Sequence, residues 1–578
     1  MDGVAYEENN IIHLKWDNGE KESVSTTLFF NHKLEEIIKS GENTLFFMNF
    51  KLWGFSFIYK LKKSGYSDIT MNALYNNVNK NPKAGEFIYT VAGRVNQWFN
   101  LKIKSKDDNG CLQVLTYENF VPIEKDMIIE DFCTDEMDIV DGMLKSVKMM
   151  KDIGCKQKTV SSCATSLWRQ TFNKYDVTRL FPEPTEEEYE FLKSAHHGGW
   201  CYVNKTGKCG KGIVLDVNSL YPYVMDTCYL PVLKGQWFDG EPRDYLMKHD
   251  TKGFYVRFSC NFKLKEGKLP FIRIQNDIKY PSTKILENSD VVDYRTGEIY
   301  KEYVDEDGVI HPIKATLTLW KDEYKLFLEH YDVENIEYIG GYEYTCVKNN
   351  FKKYVRFFGN MKQNAKNKSE KRISKIMMNA LSGNLAKNKL RESVYYSESA
   401  MDSIVGETNV AGRMDIAMQR NGKLIETKSR SRSYISIGAA ITSIAMCITV
   451  RAAQANYKHF LYSDTDSLHL NCDVDEVVGL KIDDKELGAW KIEHKFSRGS
   501  YIQQKVYFID DEKDGPIVKW SGMKNAQRKI VEEIIAKGEK VDNPKISIPY
   551  IVYEVNDLEN FNKSEVKNYY KVDISDLI

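Results

Sequence analysis

The stretch Phe460-Leu461-Tyr462-Ser463-Asp464-Thr465-Asp466-Ser467 sets two carboxylates two residues apart on a tight turn that follows an apolar strand. Like charges this close repel one another, and only a bound cation or solvent offsets the cost. Taken alone, the turn reads equally well as a solvated acidic turn, which Asp-rich sequences often form.

A second stretch separates the two readings. Gly212-Ile213-Val214-Leu215-Asp216-Val217-Asn218-Ser219-Leu220-Tyr221-Pro222 is an apolar strand that delivers one Asp at its end, then a short turn and a bulky aromatic. Three carboxylates then converge from two strands. Phosphoryl transfer by two divalent ions roughly 3.5–4 Å apart needs such a set, one ion activating the attacking hydroxyl and the other stabilising the leaving pyrophosphate. An oxygen-rich set without His or Cys suits Mg²⁺ or Mn²⁺ and not zinc.

The third element is Lys371-Arg372-Ile373-Ser374-Lys375-Ile376-Met377-Met378-Asn379-Ala380-Leu381-Ser382-Gly383, which has helical periodicity. Lys371, Lys375, Asn379 and Gly383 share one face, and no acid interrupts them. Such a stripe suits a triphosphate with a base beyond it, ending where a glycine permits close approach. A plain basic helix would show the same stripe by itself.

Together these elements resemble the motifs of family B DNA polymerases. Asp216 to Pro222 matches D-x-x-S-L-Y-P, Lys375 to Gly383 is similar to K-x-x-x-N-S-x-Y-G, and Tyr462 to Ser467 matches Y-x-D-T-D-S, all in the family's order. Lys505-Val506-Tyr507 resembles the K-x-Y motif that holds the primer terminus. Within the family the likeness is to the small protein-primed phage enzymes. It implies an α/β (α+β) right hand with palm, fingers, thumb, two insertions and an N-terminal degenerate RNase H-like exonuclease domain.

The resemblance also implies roles. Asp216 and Asp466 are the principal metal ligands, Asp464 a secondary ligand or orienter, and the Val217 carbonyl completes one shell around two Mg²⁺ or Mn²⁺. The Leu220 and Tyr221 amides meet triphosphate oxygens, and the Tyr221 ring is the steric gate against a 2′-hydroxyl. Lys371 and Lys375, with Lys362 behind them, bind phosphates, while Asn379 faces the nascent pair. Lys505 and Tyr507 hold the primer, and Gly198 and Gly199 in His196-His197-Gly198-Gly199-Trp200 stand in the place of Y-x-G-G and approach the template. A buried core tyrosine is the alternative for Tyr221. Adjacent histidines in extended chain point to opposite faces, which disfavours a metal site there. In the nucleotide pocket Ser382 replaces the family's Tyr and Ala380 its Ser.

Upstream, Leu45 to Phe57 resembles the second exonuclease motif with Asn49 kept but Trp53 in place of the metal-binding Asp. The third motif appears as Phe132-Cys133-Thr134-Asp135-Glu136, without its Tyr and with Glu for Asp; Asp135, Glu136 and Asp138 remain there as candidate metal ligands, the alternative being a residual exonuclease. No D-x-E strand precedes Trp53 at the family's spacing, the expectation being that the chain begins too late to hold it. An exonuclease short of its metal ligands cannot hydrolyse, so this domain is expected to persist as a scaffold or single-strand guide.

Composition agrees. With 578 residues several modules are expected, and 42% hydrophobic residues supply ample core. Eleven cysteines without a CxxC pair favour free thiols in a reducing compartment, and the N-terminus lacks the pattern of a signal peptide. No apolar run approaches the length of a membrane span, so no transmembrane helix is expected. The expected setting is cytoplasmic, the host's cytoplasm for a phage product. Net charge is −1, from 81 basic and 82 acidic residues, so only the local basic density of Phe351 to Arg391 and of Lys428 to Arg432 points to nucleic acid.

The motif positions divide the chain into a degenerate exonuclease-like domain at 1–155, palm at 156–225 and 434–520, insertion lobes at 226–350 and 391–433, fingers at 351–390 and thumb at 521–578. The interval from Asp216 to Lys375 is too long for a simple connection, so a separate lobe is expected within it. Thr316 to Trp320, Lys321 to Tyr331 and Val333 to Tyr344 read as strand, helix and strand, and Glu392 to Ser433 as hairpin-like before a helix from Ile435 to Tyr457. The expected partners are primer-template DNA, dNTPs and a terminal protein primer, with the chain a monomer. Two readings stay beside this one: the same site working from a nucleic-acid primer or without a template, and a non-catalytic DNA-binding paralogue, which the intact acids disfavour.

Overall fold

The computed structural model describes residues 1–50, 57, 60–61, 67–68, 87–94, 98–105, 109–133, 139–274, 284–292, 299–300, 302–304, 308–312, 314–387, 390–393, 427–430, 434–520, 545–552 and 566–573. The expectations for Trp53, Asp135, Glu136 and Asp138, and for most of 391–433 and 521–578, lie outside these residues. The chain divides into two compact units, Met1–Val177 with Lys353–Ser433, and Thr178–Lys352 with Tyr434–Ile578.

The first unit is built on an eight-stranded sheet in the order Lys21–Ser25, Ile11–Trp16, Asp2–Glu8, Glu42–Phe47, Cys111–Thr116, Trp98–Ser105, Phe87–Arg94 and Ser67–Asp68. The strands follow the period of two: Ile12, Leu14 and Trp16 are buried, while His13 and Lys15 between them are not. Ile12, Leu14, Leu45, Phe47, Leu101, Ile103 and Val114 share one core.

The Asp2–Glu8 strand precedes the Leu45 to Phe57 stretch in sequence. It lies in mid-sheet, antiparallel to Ile11–Trp16 and parallel to Glu42–Phe47. What it lacks is a D-x-E pair, so nothing in its side chains marks it as a former metal strand. Downstream, Asn49 sits at φ 56°, and its amide donates to Glu118 Oε1 at 2.7 Å.

In the same unit the Lys368–Leu385 helix starts at Asn367, whose side chain accepts from the Glu370 amide at 2.8 Å. Ile373, Met377, Met378, Leu381 and Leu385 bury one face, and Lys371, Lys375, Asn379 and Gly383 are exposed on the other. The helix continues through Gly383 to Leu385.

The second unit holds an antiparallel sheet in the order Gly515–Trp520, Val506–Asp511, Trp490–Gln503, Gly212–Val217, Ser467–Leu470, Phe460–Asp464 and Cys201–Val203, with Gly207–Cys209 also paired to Trp490–Gln503. A four-stranded sheet stands beside it, in the order Leu230–Asp239, Tyr331–Val347, Lys252–Leu264 and Ala315–Trp320. The expected strand, helix and strand are there, as Ala315–Trp320, Lys321–His330 and Tyr331–Val347. The Ile435–Ala455 helix joins them to the first sheet, packing on Leu230–Asp239, Ala315–Trp320 and the Lys321–His330 helix. Arg451 forks onto Glu329 at 2.7 and 2.8 Å, and Ser443 donates to Glu323 at 2.8 Å.

That helix also corrects the expectation that no apolar run approaches the length of a membrane span. It is 21 residues long and holds an 18-residue window with a mean hydropathy of 1.7, enough by length and composition to cross a membrane, and 72% of that window is buried inside the fold. Interspersed Ser, Thr, Gly and Ala disguise the run, because small residues let neighbouring elements pack closely without looking greasy. All eleven cysteines are free thiols.

Of the remaining expected elements, Leu390–Ser393 pairs with Thr427–Arg430, and Lys545–Val552 pairs with Val566–Asp573, both antiparallel.

Candidate active site

Asp216 comes at the end of a strand in which Ile213, Val214 and Leu215 are buried. The chain then turns through Asn218 and Ser219, the latter left-handed at φ 57°, into the Leu220–Thr227 helix. Two backbone bonds pin the turn: Asn218 donates to the Ala489 carbonyl at 2.8 Å, and Gly488 donates to the Asn218 carbonyl at 2.9 Å. The first helical bond runs from the Tyr223 amide to the Ser219 carbonyl at 2.9 Å. Pro222 has no N–H, so the Leu220 and Tyr221 amides make up the donor end of this helix, where an anion is favoured.

Across the sheet, the hairpin of Phe460–Asp464 and Ser467–Leu470 turns through Thr465, at φ 63°. Asp216 is in register with Ser467, and the Val217 amide donates to the Asp466 carbonyl at 2.9 Å. The three predicted acids therefore stand at the neighbouring ends of adjacent strands, each partly exposed.

Two lysines answer them. Lys505 Nζ lies 2.7 and 3.0 Å from the two carboxylate oxygens of Asp464, and Lys491 Nζ lies 3.2 Å from Asp216 Oδ1. Lys505 sits on a left-handed turn at φ 61°, where its amide donates to the Tyr462 hydroxyl at 3.2 Å. Burial opposes its charge, but the bond to Asp464 keeps its pKa above the ordinary lysine value. Tyr507 is half-buried in an aromatic cluster, with ring centroids 5.2 Å from Tyr462, 4.9 Å from His469 and 5.6 Å from Tyr501.

Among the described residues, the group whose ligand atoms all fall within 4.8 Å of one another is His494, Asp511 and Asp514. Hairpin chemistry accounts for it. Asp511 Oδ1 accepts from the Lys513 and Asp514 amides at 2.9 and 2.7 Å, while Oδ2 meets His494 Nδ1 at 3.0 Å. The Asp216, Asp464 and Asp466 oxygens are spread more widely than this, two of the three drawn onto ammonium groups. Their hard oxygen donors and their evident demand for positive charge fit a divalent cation.

Tyr221 is half-buried at the helix start, and burial, then the Asp466 charge, hold its phenol pKa up. The Gly198–Trp200 segment packs on the acidic turn. The Thr465 amide donates to the Trp200 carbonyl at 2.6 Å, and a Cβ on Gly199 would lie 2.1 Å from Thr465 Oγ1. The close approach that this glycine permits is thus to the turn itself.

Sequence reasoning missed Arg273. It is 5% exposed, donates to the Gly198 carbonyl, and its Nε has no hydrogen-bond partner among the described residues. Burial lowers its pKa, and the Glu323 and Tyr221 groups oppose that through space. Burial and then the Arg273 charge push the His197 imidazole down to about 3. An arginine in Leu269-Pro270-Phe271-Ile272-Arg273 carries no motif signal; only the fold brings it beneath Gly198.

Lys362, Lys371, Lys375 and Asn379 stand on the Lys352–Gln363 and Lys368–Leu385 helices, and the last three belong to the exposed stripe described above. They are part of the Lys353–Ser433 segment of the first unit, whereas the acids, Gly198, Gly199, Lys505 and Tyr507 belong to the second.

Residues 43–476 match the family model described as DNA polymerase type B, organellar and viral. The chain belongs to that family. Among its relatives, the DNA polymerase of Bacillus phage phi29 is 29% identical over 379 residues, 64% of this chain and 58% of that protein. The DNA polymerase of Bacillus phage PZA is 30% identical over 59% of this chain and 54% of its own length, and that of Streptococcus phage Cp-1 is 29% identical over 54% and 49%. The chain thus spans little more than half the length of the relatives it matches. The fold of this chain is similar to that of phi29 DNA polymerase complexed with primer-template DNA and incoming nucleotide, with a TM-score of 0.72 at 21% identity over 98% of this chain and 95% of that one. It is an α/β right-hand polymerase fold.

Proposed function

We propose that this chain is a DNA-directed DNA polymerase that joins deoxynucleotides to a primer on a DNA template, in a host cytoplasm, and that its priming hydroxyl comes from a partner protein. The observation that carries the reading is the register of Asp216 against Ser467, which sets one acid beside two others at the strand ends of a right-hand polymerase fold. Relatives are named DNA polymerases, and the similar solved structure holds primer-template DNA and an incoming nucleotide.

Asp216 and Asp466, with the Val217 carbonyl, would hold two divalent ions, Mg²⁺ or Mn²⁺, and Asp464 would orient them. When bound, such ions lower the pKa of the primer hydroxyl and screen the charge on the leaving pyrophosphate. The chain's own groups do the rest. The amides of Leu220 and Tyr221 receive triphosphate oxygens at a helix N-terminus. Lys371 and Lys375, with Lys362 nearby, add positive charge for the phosphates, and Asn379 faces the nascent pair. Tyr221 fills the space a 2′-hydroxyl needs, Lys505 and Tyr507 position the primer strand, and the Gly198–Gly199 segment, held against the acidic turn, contacts the template. The exonuclease-like domain, its first strand without a D-x-E pair, serves as scaffold or strand guide and does not proofread.

Primer extension on a templated hairpin, with each of the four dNTPs alone, tests this. Incorporation of only the templated base, abolished in Asp466→Ala, is expected; addition of every base, or activity surviving that substitution, would refute it. Protein priming requires a hydroxyl-bearing partner that becomes covalently linked to the first nucleotide.

A further inference from the structure

Lys491 belongs to none of the matched motifs. It lies on the Trp490–Gln503 strand directly across from Asp216, in antiparallel register, with Nζ 3.2 Å from Asp216 Oδ1 and 3.9 Å from Glu493 Oε1. Its side chain is 30% exposed and that of Asp216 21%, so solvent screens the pair only in part. Burial disfavours the ammonium, yet Asp216, Glu493 and Asp466 together hold its pKa above the ordinary lysine value.

A cross-strand ion pair in this setting ordinarily contributes little to stability. Its position gives it another consequence. The oxygen Lys491 holds belongs to the acid that the polymerase reading makes a principal metal ligand, and an ammonium and a divalent ion cannot both approach that oxygen closely. Glu493, two residues on at a bulge in the strand and 42% exposed, offers the ammonium a second seat. Moving between the two carboxylates costs the lysine no counter-charge.

We propose that Lys491 is a built-in counter-cation of the acidic site, holding Asp216 Oδ1 in the free chain and yielding it to a divalent ion by swinging toward Glu493. The inference rests on the reading of Asp216 as a metal ligand. It makes Lys491 a positioning residue that sets how much divalent ion the site requires.

Calorimetric titration of the full chain with Mn²⁺, without DNA or nucleotide, tests both. Removing one positive charge a few ångströms from the ligand should tighten Mn²⁺ binding about tenfold in Lys491→Met, with Lys491→Gln as a second variant should that chain misfold. Lys491→Arg keeps the charge and should bind as the parent does, and Asp216→Asn should bind more weakly. Unchanged or weaker Mn²⁺ binding in both neutral variants, with Asp216→Asn still weakened, would overturn the counter-cation while leaving the metal-ligand reading intact. Parent-like binding in Asp216→Asn would overturn both.

Discussion

Gly199 and Thr465 touch so closely that a single methyl group on the glycine would stand 2.1 Å from Thr465 Oγ1 and 2.7 Å from its Cβ. Thr465 lies between Asp464 and Asp466, its hydroxyl donates to Asp464 Oδ1 at 3.1 Å, and its carbonyl accepts from Thr449 Oγ1 at 2.9 Å. A Cβ at 199 must therefore push on the one residue that spaces the two acids. Displacement of a reacting group by about 1 Å can cost on the order of 10²-fold in rate. Gly199→Ala is expected to lose that much primer-extension activity while the protein stays folded by circular dichroism. Thr465→Gly removes the clashing side chain at a position whose positive φ suits glycine, so the double variant should recover most of the loss. Full activity in Gly199→Ala would remove the glycine's role.

Ser382 donates its hydroxyl to the Asn379 carbonyl at 2.8 Å, one helical turn back, and is only partly buried. The family's aromatic residue at this place would offer a platform for a base, worth roughly 1–3 kcal/mol of stacking. Ser382→Tyr is expected to lower the KM for dNTP about fivefold or more and to reduce misincorporation, read by steady-state single-nucleotide insertion. If both stay unchanged, the serine does not loosen the pocket.

The parts of the site that could be read from the sequence are those whose signal is local. Apolar strand, Asp, turn and helix follow one another within Gly212 to Pro222, and the hairpin of Asp464 and Asp466 is written in eight consecutive residues. The lysine face of Lys371 to Gly383 needs only the helical repeat, though the repeat could not say that the helix would run on to Leu385. Arg273 and Lys491 were invisible for the opposite reason: each acts on a partner far away in sequence, and only sheet register and burial bring them there. The apolar length of the Ile435–Ala455 helix escaped notice because small polar residues mask what burial reveals.

Arg273 and Glu323 are both buried, 5% and 2% exposed, and each is the other's opposing charge through space. Burial raises the Glu323 pKa, and Arg273 and the Ser443 hydroxyl work against it. Replacing the arginine by Met leaves a buried carboxylate without its counter-charge and the Gly198 carbonyl without its donor, a loss of about 3 kcal/mol. Chemical denaturation should show it in Arg273→Met. Adding Glu323→Gln removes the orphaned charge, so the double variant should be more stable than Arg273→Met alone. Additive losses would mean that the two groups do not sense each other.

His469 makes folding sensitive to acid. Its ring is 1% exposed, Nδ1 pairs with the Tyr501 hydroxyl at 2.9 Å, and burial, then the His494 charge, push its pKa down to about 3. An unfolded chain protonates the same imidazole near its ordinary value of about 6.5, so the unfolded state binds more protons between the two values. The stabilisation is therefore complete above about 6.5 and fades as pH falls toward about 3. Between about pH 7 and about pH 5 this one group should remove about 2 kcal/mol of stability. Denaturant unfolding at the two pH values should show that drop, and His469→Gln, which cannot titrate, should flatten the slope by the same amount even though it starts less stable. An equal slope in parent and variant would place the acid sensitivity elsewhere in the chain.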